Sequence, residues 1–437
     1  MATLLMVESW INSTGRSLPP LLRDLGHDYV LLTRDPGLYP SSSAGTPHPA
    51  VAGADEVVVA ETNDLTAATE AAVAVARRRR IDGVLTTCDY YLGTVAAVAE
   101  RLGLPGAPPT VMQAATRKHL VRAALDRAGL PNPAFAVAAT WSGATAAAAR
   151  LGLPLVAKPV DLNAGTAVRL VVDEAGLKDS FWDVRDRERN TRGQPLQRLL
   201  LLEEVLWGTE ISVEAVTVAG RTTVVAITDK SVAGPPAFVE SGHMVPARLD
   251  PRVTAEVEAF TVAALDAIGF THGVSHTEVM VTEDGPRLVE INPRQGGGHI
   301  FELVELVTGT NTLAATVDLA LGREPELGRV GAPRPSATVP GGSAAVVFVV
   351  SPKAGRVERV SGLDDAAGDP RVLTCTVPTP VEAPRPDDNE AYLGRVVAVD
   401  PTGDRARAYA EEVVGALRLH YADGSTAVPL GVPSGLA

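Results

Sequence analysis

The chain has 437 residues, 46% hydrophobic and 21% charged, a globular composition with room for roughly two to four domains. Its formal charge is 39 − 52 = −13, which argues against a general nucleic-acid or anionic-membrane surface but not against ATP, whose site needs only a local cluster of cations and metal. Two isolated cysteines, Cys88 and Cys375, exclude a disulfide scaffold and CxxC-type zinc or redox chemistry.

The N-terminal run MATLLMVESW carries Glu8 and no basic flank, so it reads as a first strand rather than a signal peptide. No apolar run approaches the length of a membrane span, and a cytoplasmic protein with no membrane partner is expected. A helix over 17–27, strands at 29–33, 55–61 and 83–88, and helices over 64–80 and 92–106 then alternate. Such alternation predicts a doubly wound parallel sheet in a first domain, 1–112. Ligands on such sheets bind at the carboxyl ends of strands, which directs attention to the loops Glu8–Gly15 and Thr86–Asp89.

A helix over 116–128 opens a stretch of different texture, with short strands at 135–139, 155–160, 167–173, 200–206, 209–220 and 222–228. The charged segment 178–198 reads as a solvated lid helix and loop. A helix over 251–268 precedes a hairpin turning at Glu283-Asp284-Gly285, followed by helices at 299–309 and 311–321. The Pro/Gly-rich 322–342 reads as a linker to further strands, an amphipathic C-terminal helix and a loose tail from Ala422. The expected units are an α/β domain at 1–112, a lid lobe at 113–205, a metal and substrate lobe at 206–335, and a small C-terminal α+β domain at 336–437.

The chemistry concentrates in the hairpin. Glu278 and Glu290 fall twelve positions apart across the turn, so they are expected as cross-strand partners on one face. Asn292 shares that face. Two carboxylates and an amide oxygen suit Mg²⁺, with Mn²⁺ as an alternative ion, the remaining ligands being waters and phosphates. Lys158 sits inside the apolar strand LVAKPV, where a lysine is out of place without a partner, and Lys118 opens a helix. In LLLEEVLWGTE, the backbone of Glu203, Glu204, Val205 and Leu206 can hold an adenine, and Glu210 a ribose.

In order and spacing these pieces resemble the ATP-grasp superfamily, with strongest likeness over 118–300 and to carboxylate–amine ligases of the L-amino acid ligase kind. The resemblance implies an ATP-grasp fold with an N-terminal pre-ATP-grasp domain and a small C-terminal domain. It implies that Lys118 and Lys158 contact phosphates, with Lys230 as a third contact, and that ATP activates a carboxylate as an acylphosphate for attack by an amine. Arg294 is an expected catalytic residue, and His276, where some relatives carry an oxyanion-stabilising arginine, is either a second one or an ordinary strand histidine. The segment 238–247, with Glu240 and His243, resembles a substrate-pocket loop of amino acid ligases. Gly297, Gly298 and His299 either receive a substrate carboxylate at a helix N-terminus or merely permit a turn. The loop after Lys158 reads NAGTAVRL, where many relatives carry Ser-x-Gly. An amino acid or small carboxylic acid substrate and a homodimer follow from the resemblance. A biotin-carboxylase-type activity and a non-catalytic ATP-binding regulator are the alternatives.

Overall fold

The computed structural model of the chain describes every residue except 42–44, 234–238, 329–338, 340, 387–388 and 431–437. Strands β1 (Thr3–Val7), β2 (Asp28–Thr33), β3 (Glu56–Val59) and β4 (Gly83–Leu85) form a parallel sheet in the order β3-β2-β1-β4. Alternation along β1 serves both faces. Leu4 and Met6 pack with α1 (Thr14–Asp24) and α2 (Pro49–Ala52), while Leu5 and Val7 pack with α3 (Leu65–Arg78) and α4 (Leu92–Leu102). Asp64 caps α3 by accepting from the Ala67 N–H at 2.9 Å, and Arg77 and Arg78 lie in its last turn, where cations complement the helix dipole. The strand order departs from β1 in both directions, so the crevice beyond β1 and β4 is a topological switch point.

Helix α5 (Pro109–Ala115) leads into α6 (Lys118–Ala128). The lid follows: β5 (Phe135–Ala138), β6 (Leu155–Pro159), β7 (Arg169–Val171) and β8 (Leu200–Glu204) pair antiparallel in the order β5-β8-β6-β7. Helices α7 (Trp141–Leu151) and α8 (Glu174–Asp186) share a core with it. Neither α5 nor α7 is among the helices expected from sequence. The buried side of α7 is only Ala144, Ala147 and Ala148, so helix propensity rather than an apolar stripe specifies it.

The rest is organised by an eight-stranded sheet. Its members come from β9 (Thr209–Val218), β10 (Arg221–Ala233), β11 (Val239–Val245), β12 (Gly273–Thr282), β13 (Gly285–Asn292), β14 (Ser343–Val350), β16 (Val372–Thr376) and β18 (Tyr392–Asp400). Their order is β13-β12-β9-β10-β11-β14-β18-β16. Strands from both sides of the expected boundary at 335/336 therefore share one sheet, with Met244 of β11 registered on Ala345 of β14. Strand β14 is buried along its whole length, which accounts for the uninterrupted apolar run SAAVVFVV. A small sheet takes β15 (Gly355–Ser361), β17 (Val381–Ala383), β19 (Arg418–Tyr421) and β20 (Thr426–Ala427). The expected loose tail is thus corrected at 426–427, which pairs with β19. Most of the expected linker, 329–338 and 340, lies outside the described residues.

Helix α9 (Pro251–Ala267) packs on one face of the large sheet and α10 (Ile300–Thr308) on the other. Helix α11 (Thr312–Ala320) packs both ways: Ala315 and Leu319 meet Val216 and Val274 of the large sheet, while Leu313 and Val317 join Leu4 and Met6 of the N-terminal domain in one core. That docking holds the switch-point crevice against the β12–β13 hairpin. No described helix is long and apolar enough to cross a membrane.

Candidate active site

Strands β12 and β13 pair antiparallel with Glu278 opposite Glu290 and His276 opposite Asn292. The register then slips between Glu278 and Val279, leaving Val289 as the extra residue of a bulge. Arg122 of α6 takes up the Val289 carbonyl, Nη2 donating at 2.7 Å. Each glutamate meets a cation. Glu290 Oε1 lies 2.9 Å from Lys118 Nζ, and Glu278 lies 3.3 Å from both Lys230 Nζ and His276 Nε2. Lys118 is the first residue of α6, held there by its N–H to the Val160 carbonyl (2.9 Å) and by Nζ to the Leu162 carbonyl.

Lys230 joins three carboxylates: Glu210 at 2.7 Å, Glu240 at 3.0 Å and Glu278 at 3.3 Å. Burial pushes its ammonium towards neutrality, but the three acids outweigh burial and hold its pKa well above the usual lysine range. For Glu278, burial raises the carboxyl and Lys230 with His276 more than reverse this, to about 2. Lys230 and His243 likewise hold Glu240 well below its ordinary value against burial. Burial lowers His276, yet Glu214 Oε1 at 2.6 Å from Nδ1 raises it to about 9, so it is an imidazolium at neutral pH.

This donor set fits a small divalent cation. Two carboxyl side chains face each other beside the amide of Asn292, all oxygen chemistry of the kind Mg²⁺ takes, and carboxylates crowd a single lysine next to them. Among the described residues, no three His, Cys, Asp or Glu side chains form a ready cage for an ion, so phosphate oxygens would have to complete the shell.

Lys158 is buried on β6 with Nζ 2.6 Å from Glu203 Oε2, and Arg122 Nε lies 2.6 Å from Glu203 Oε1. One carboxylate is thus shared by two cations. Burial would raise Glu203, but both cations bring it down to about 2, while burial and the neighbouring Arg122 lower Lys158. The Glu203 side chain thus anchors Lys158 and α6, a role that the sequence reading, which concerned only its backbone, did not assign. Strand β8 stops at Glu204 and β9 begins at Thr209, so Val205–Gly208 is the crossing between lid and large sheet. Glu204, Val205, Leu206 and Glu210 all line the cavity there.

Arg294 grips Asp89 of the N-terminal domain with two hydrogen bonds, Nε–Oδ1 at 2.6 Å and Nη2–Oδ2 at 2.9 Å. Burial lowers Arg294, Asp89 raises it further, and the guanidinium stays charged. Asp89 also accepts from Asn163 Nδ2 at 3.0 Å, and Tyr90 donates to Asn163 Oδ1 at 2.8 Å, so the lid loop NAGTAVRL is closed on the N-terminal domain. The expectation of a solvated 178–198 is also corrected at its tip. Arg192 is 2% exposed, inserted between Trp10 and Tyr39, and Asn63 Nδ2 and Arg34 Nη2 donate to its carbonyl at 2.9 and 3.1 Å. Arg122, Glu214 and Arg192 line or support this site without having been assigned by sequence reading, which for Asp89 had pointed only to its loop, Thr86–Asp89.

The expected substrate loop is a strand. Val239–Val245 is β11, central in the sheet, and Phe238 lies outside the described residues. Glu240 lines the cavity, but His243 does not. Its ring is buried edge-on to Phe348, with Nε2 3.3 Å from Glu240 Oε2, beneath Gly298. Gly297, Gly298 and His299 do line the cavity at the N-terminus of α10. At Gly298, φ is +54° and an added Cβ would come within 2.6 Å of His243 Nε2. Gly298→Ala is therefore expected to destabilise the protein by about 1–3 kcal/mol, read as a lowered urea midpoint.

These groups surround one cavity of about 1230 Å³, bounded by the N-terminal domain, the lid, the hairpin and β18. That exceeds an ordinary small-ligand pocket and leaves room for a nucleotide with further small molecules.

Comparison with known proteins agrees with this arrangement. Residues 23–106 match an ATP-grasp N-terminal domain, 151–302 an ATP-grasp domain, and 347–422 the L-amino acid ligase C-terminal domain 2. The chain is 32% identical to carnosine synthase 1 of Gallus gallus over 272 residues, 59% of this chain and 29% of that protein. It is 26% identical to alanine–anticapsin ligase of Bacillus subtilis over 275 residues, 59% of this chain and 58% of that one. It thus spans under two thirds of the length of either relative. An L-amino acid ligase from Bacillus licheniformis shares the fold with a TM-score of 0.77, at 21% identity over 96% of this chain and 99% of that one.

Proposed function

We propose, from the premise that this chain belongs to the ATP-grasp carboxylate–amine ligases, that it joins an amino acid or related small acid to an amine with release of ADP and phosphate. The observation that carries this reading is the opposed Glu278–Glu290 pair, ringed by Lys118, Lys230, His276 and Arg294 in one large cavity. The match of 347–422 to an L-amino acid ligase domain favours it over a biotin-carboxylase-type reaction.

In this reading the adenine lies along Glu204–Leu206, the ribose meets Glu210, and Lys118, Lys158 and Lys230 face the phosphates. Glu278, Glu290 and Asn292 hold Mg²⁺ or Mn²⁺, which neutralises phosphate charge when bound. The substrate carboxylate attacks the γ-phosphorus, the bond to ADP breaks, and an acylphosphate forms. An amine then attacks the acyl carbon, loses a proton, and phosphate leaves with the C–O bonding pair. Phosphoryl transfer asks for positioning and charge neutralisation rather than a side-chain nucleophile. Arg294, fixed by Asp89, and the imidazolium of His276 supply fixed positive charge where negative charge develops.

The test is incubation with ATP, Mg²⁺ and pools of amino acids, following nucleotide, phosphate and product mass. ADP, phosphate and a condensed product in equal amounts are expected. AMP with pyrophosphate would overturn the acylphosphate route, and ADP release that needs only bicarbonate would favour the carboxylase.

A further inference from the structure

We propose that the cleft between the loop after β1 and the tip of the lid is a second anion site, which holds a non-reacting carboxylate or phosphate group of the acid substrate. The inference rests on the ligase reading and narrows its substrate to small acids carrying two anionic groups.

Four features meet there. The first is the N-terminus of α1, an eleven-residue helix with no acidic residue in its first turn. Its N-cap Ser13 stands at φ 48° and its side chain makes no capping bond; Ser13 Oγ is buried and, among the described residues, has no hydrogen-bond partner. The second is the tight winding of the preceding loop. A Cβ on Gly15 would lie 1.8 Å from the Trp10 carbonyl oxygen, so only glycine fits and the loop geometry is imposed. The third is Arg192, whose Nη2 donates to the Ser9 carbonyl and whose Cζ stands 5.4 Å from the Trp10 ring centre. Its Nη1 is buried and unpartnered among the described residues. The fourth is Arg16, in the first turn of α1, which forms no ion pair among the described residues. Trp10, Ser13, Arg16 and Arg192 all line the large cavity.

Among the described residues no acid forms an ion pair with either cation, and the oxygens of the two nearest acids are taken up by other donors. Glu8 already accepts from Arg34 N (2.7 Å), Thr62 Oγ1 (2.6 Å), Thr33 Oγ1 (2.9 Å) and Tyr39 OH (2.6 Å). Asp89 is committed to Arg294 and Asn163. A buried guanidinium with an unmade hydrogen bond is costly unless an anion completes it. A helix N-terminus presents backbone donors and positive potential to the same anion. The position suits a substrate group as well. Trp10 Nε1 donates to Asp89 Oδ1 at 3.4 Å, and Asp89 holds Arg294, so the second anion site adjoins the acyl-activating centre across one residue. Because Arg192 comes from the lid and Ser13 and Arg16 from the N-terminal domain, the anion would also tie the lid down.

Two measurements on the full chain test this. Amino-acid-dependent ADP release is compared for glutamate, aspartate, O-phosphoserine, glutamine and alanine, in wild type, Arg16→Ala and Arg192→Lys. An anionic acid should be preferred, and which one distinguishes carboxylate from phosphate. Each substitution should raise its KM roughly tenfold while the KM for ATP stays put. Preference for a neutral acid with a KM unmoved by Arg16→Ala would overturn the anion site and leave the ligase reading standing. Should no acid support turnover, the ligase reading fails and calorimetry decides the site alone. Succinate and inorganic phosphate are titrated into protein saturated with ADP and Mg²⁺. Saturable binding weakened by Arg16→Ala supports the site; no binding, or binding indifferent to Arg16→Ala, overturns it.

Discussion

Glutamine in place of Glu203 is expected to destabilise the protein by roughly 3–5 kcal/mol at neutral pH and to weaken ATP binding with it. The carboxylate is shared by Arg122 and Lys158 at 2.6 Å each, and all three side chains are buried. Glutamine leaves two adjacent buried cations with no counter-ion, and nothing in the substitution removes their cost. The effect has a pH signature. The folded pKa, about 2, lies below the unfolded carboxylate value, so this stabilisation is present above about pH 4.5 and is lost as pH falls towards 2. Urea midpoints of wild type and Glu203→Gln should therefore differ most at neutral pH and converge in acid. A difference below about 1 kcal/mol at pH 7 would mean that Lys158 gives up its proton instead of remaining an ion.

The pairing of Glu278 with Glu290 was legible because two local rules determine it. Side chains alternate along a strand, and the turn at 283–285 sets which residues face each other, so Glu278 and Glu290 could be paired on paper. Lys158 betrayed itself by standing in an apolar strand. What stayed hidden depends on distant parts of the chain meeting. Arg294 and Asp89 are 205 positions apart, and Arg122 and Glu203 are 81 apart, and no local pattern announces either contact. Arg192 was misread for a related reason. It lies in a charged run that is mostly solvated, and only the docking of the lid tip on Trp10 and Tyr39 buries it. His243 erred in the opposite sense. The resemblance of 238–247 to a pocket loop suggested that it faces substrate, but the segment is β11, whose Gly242 lies close against the Val346 carbonyl, and the histidine packs under Gly298. The site is therefore half local pattern and half interdomain assembly.

Glu290→Gln is expected to lower turnover by roughly a thousandfold while leaving the thermal midpoint nearly unchanged, because it removes one charge from the transition-state machinery and little from the packing. Glu290 is the less embedded of the pair. Its side chain is 23% exposed and, among the described residues, its one ion pair is with Lys118, itself at the cavity wall. Glutamine keeps the volume and one carbonyl oxygen but removes half of the like-charge pair, so any stability lost with Lys118 is offset by relief of repulsion against Glu278. Glu278→Gln should behave differently. Glu278 neutralises both Lys230 and His276, whose raised pKa values depend on their acid partners, so that substitution should cost stability as well as activity. The contrast separates a metal role from a structural one, and the Mg²⁺ requirement adds a third reading. In Glu290→Gln, the Mg²⁺ concentration for half-maximal residual activity should rise, since one ionic ligand is gone while the phosphates remain. Near-normal turnover with an unchanged Mg²⁺ requirement would remove Glu290 from the metal site and leave it as the anchor of Lys118 alone.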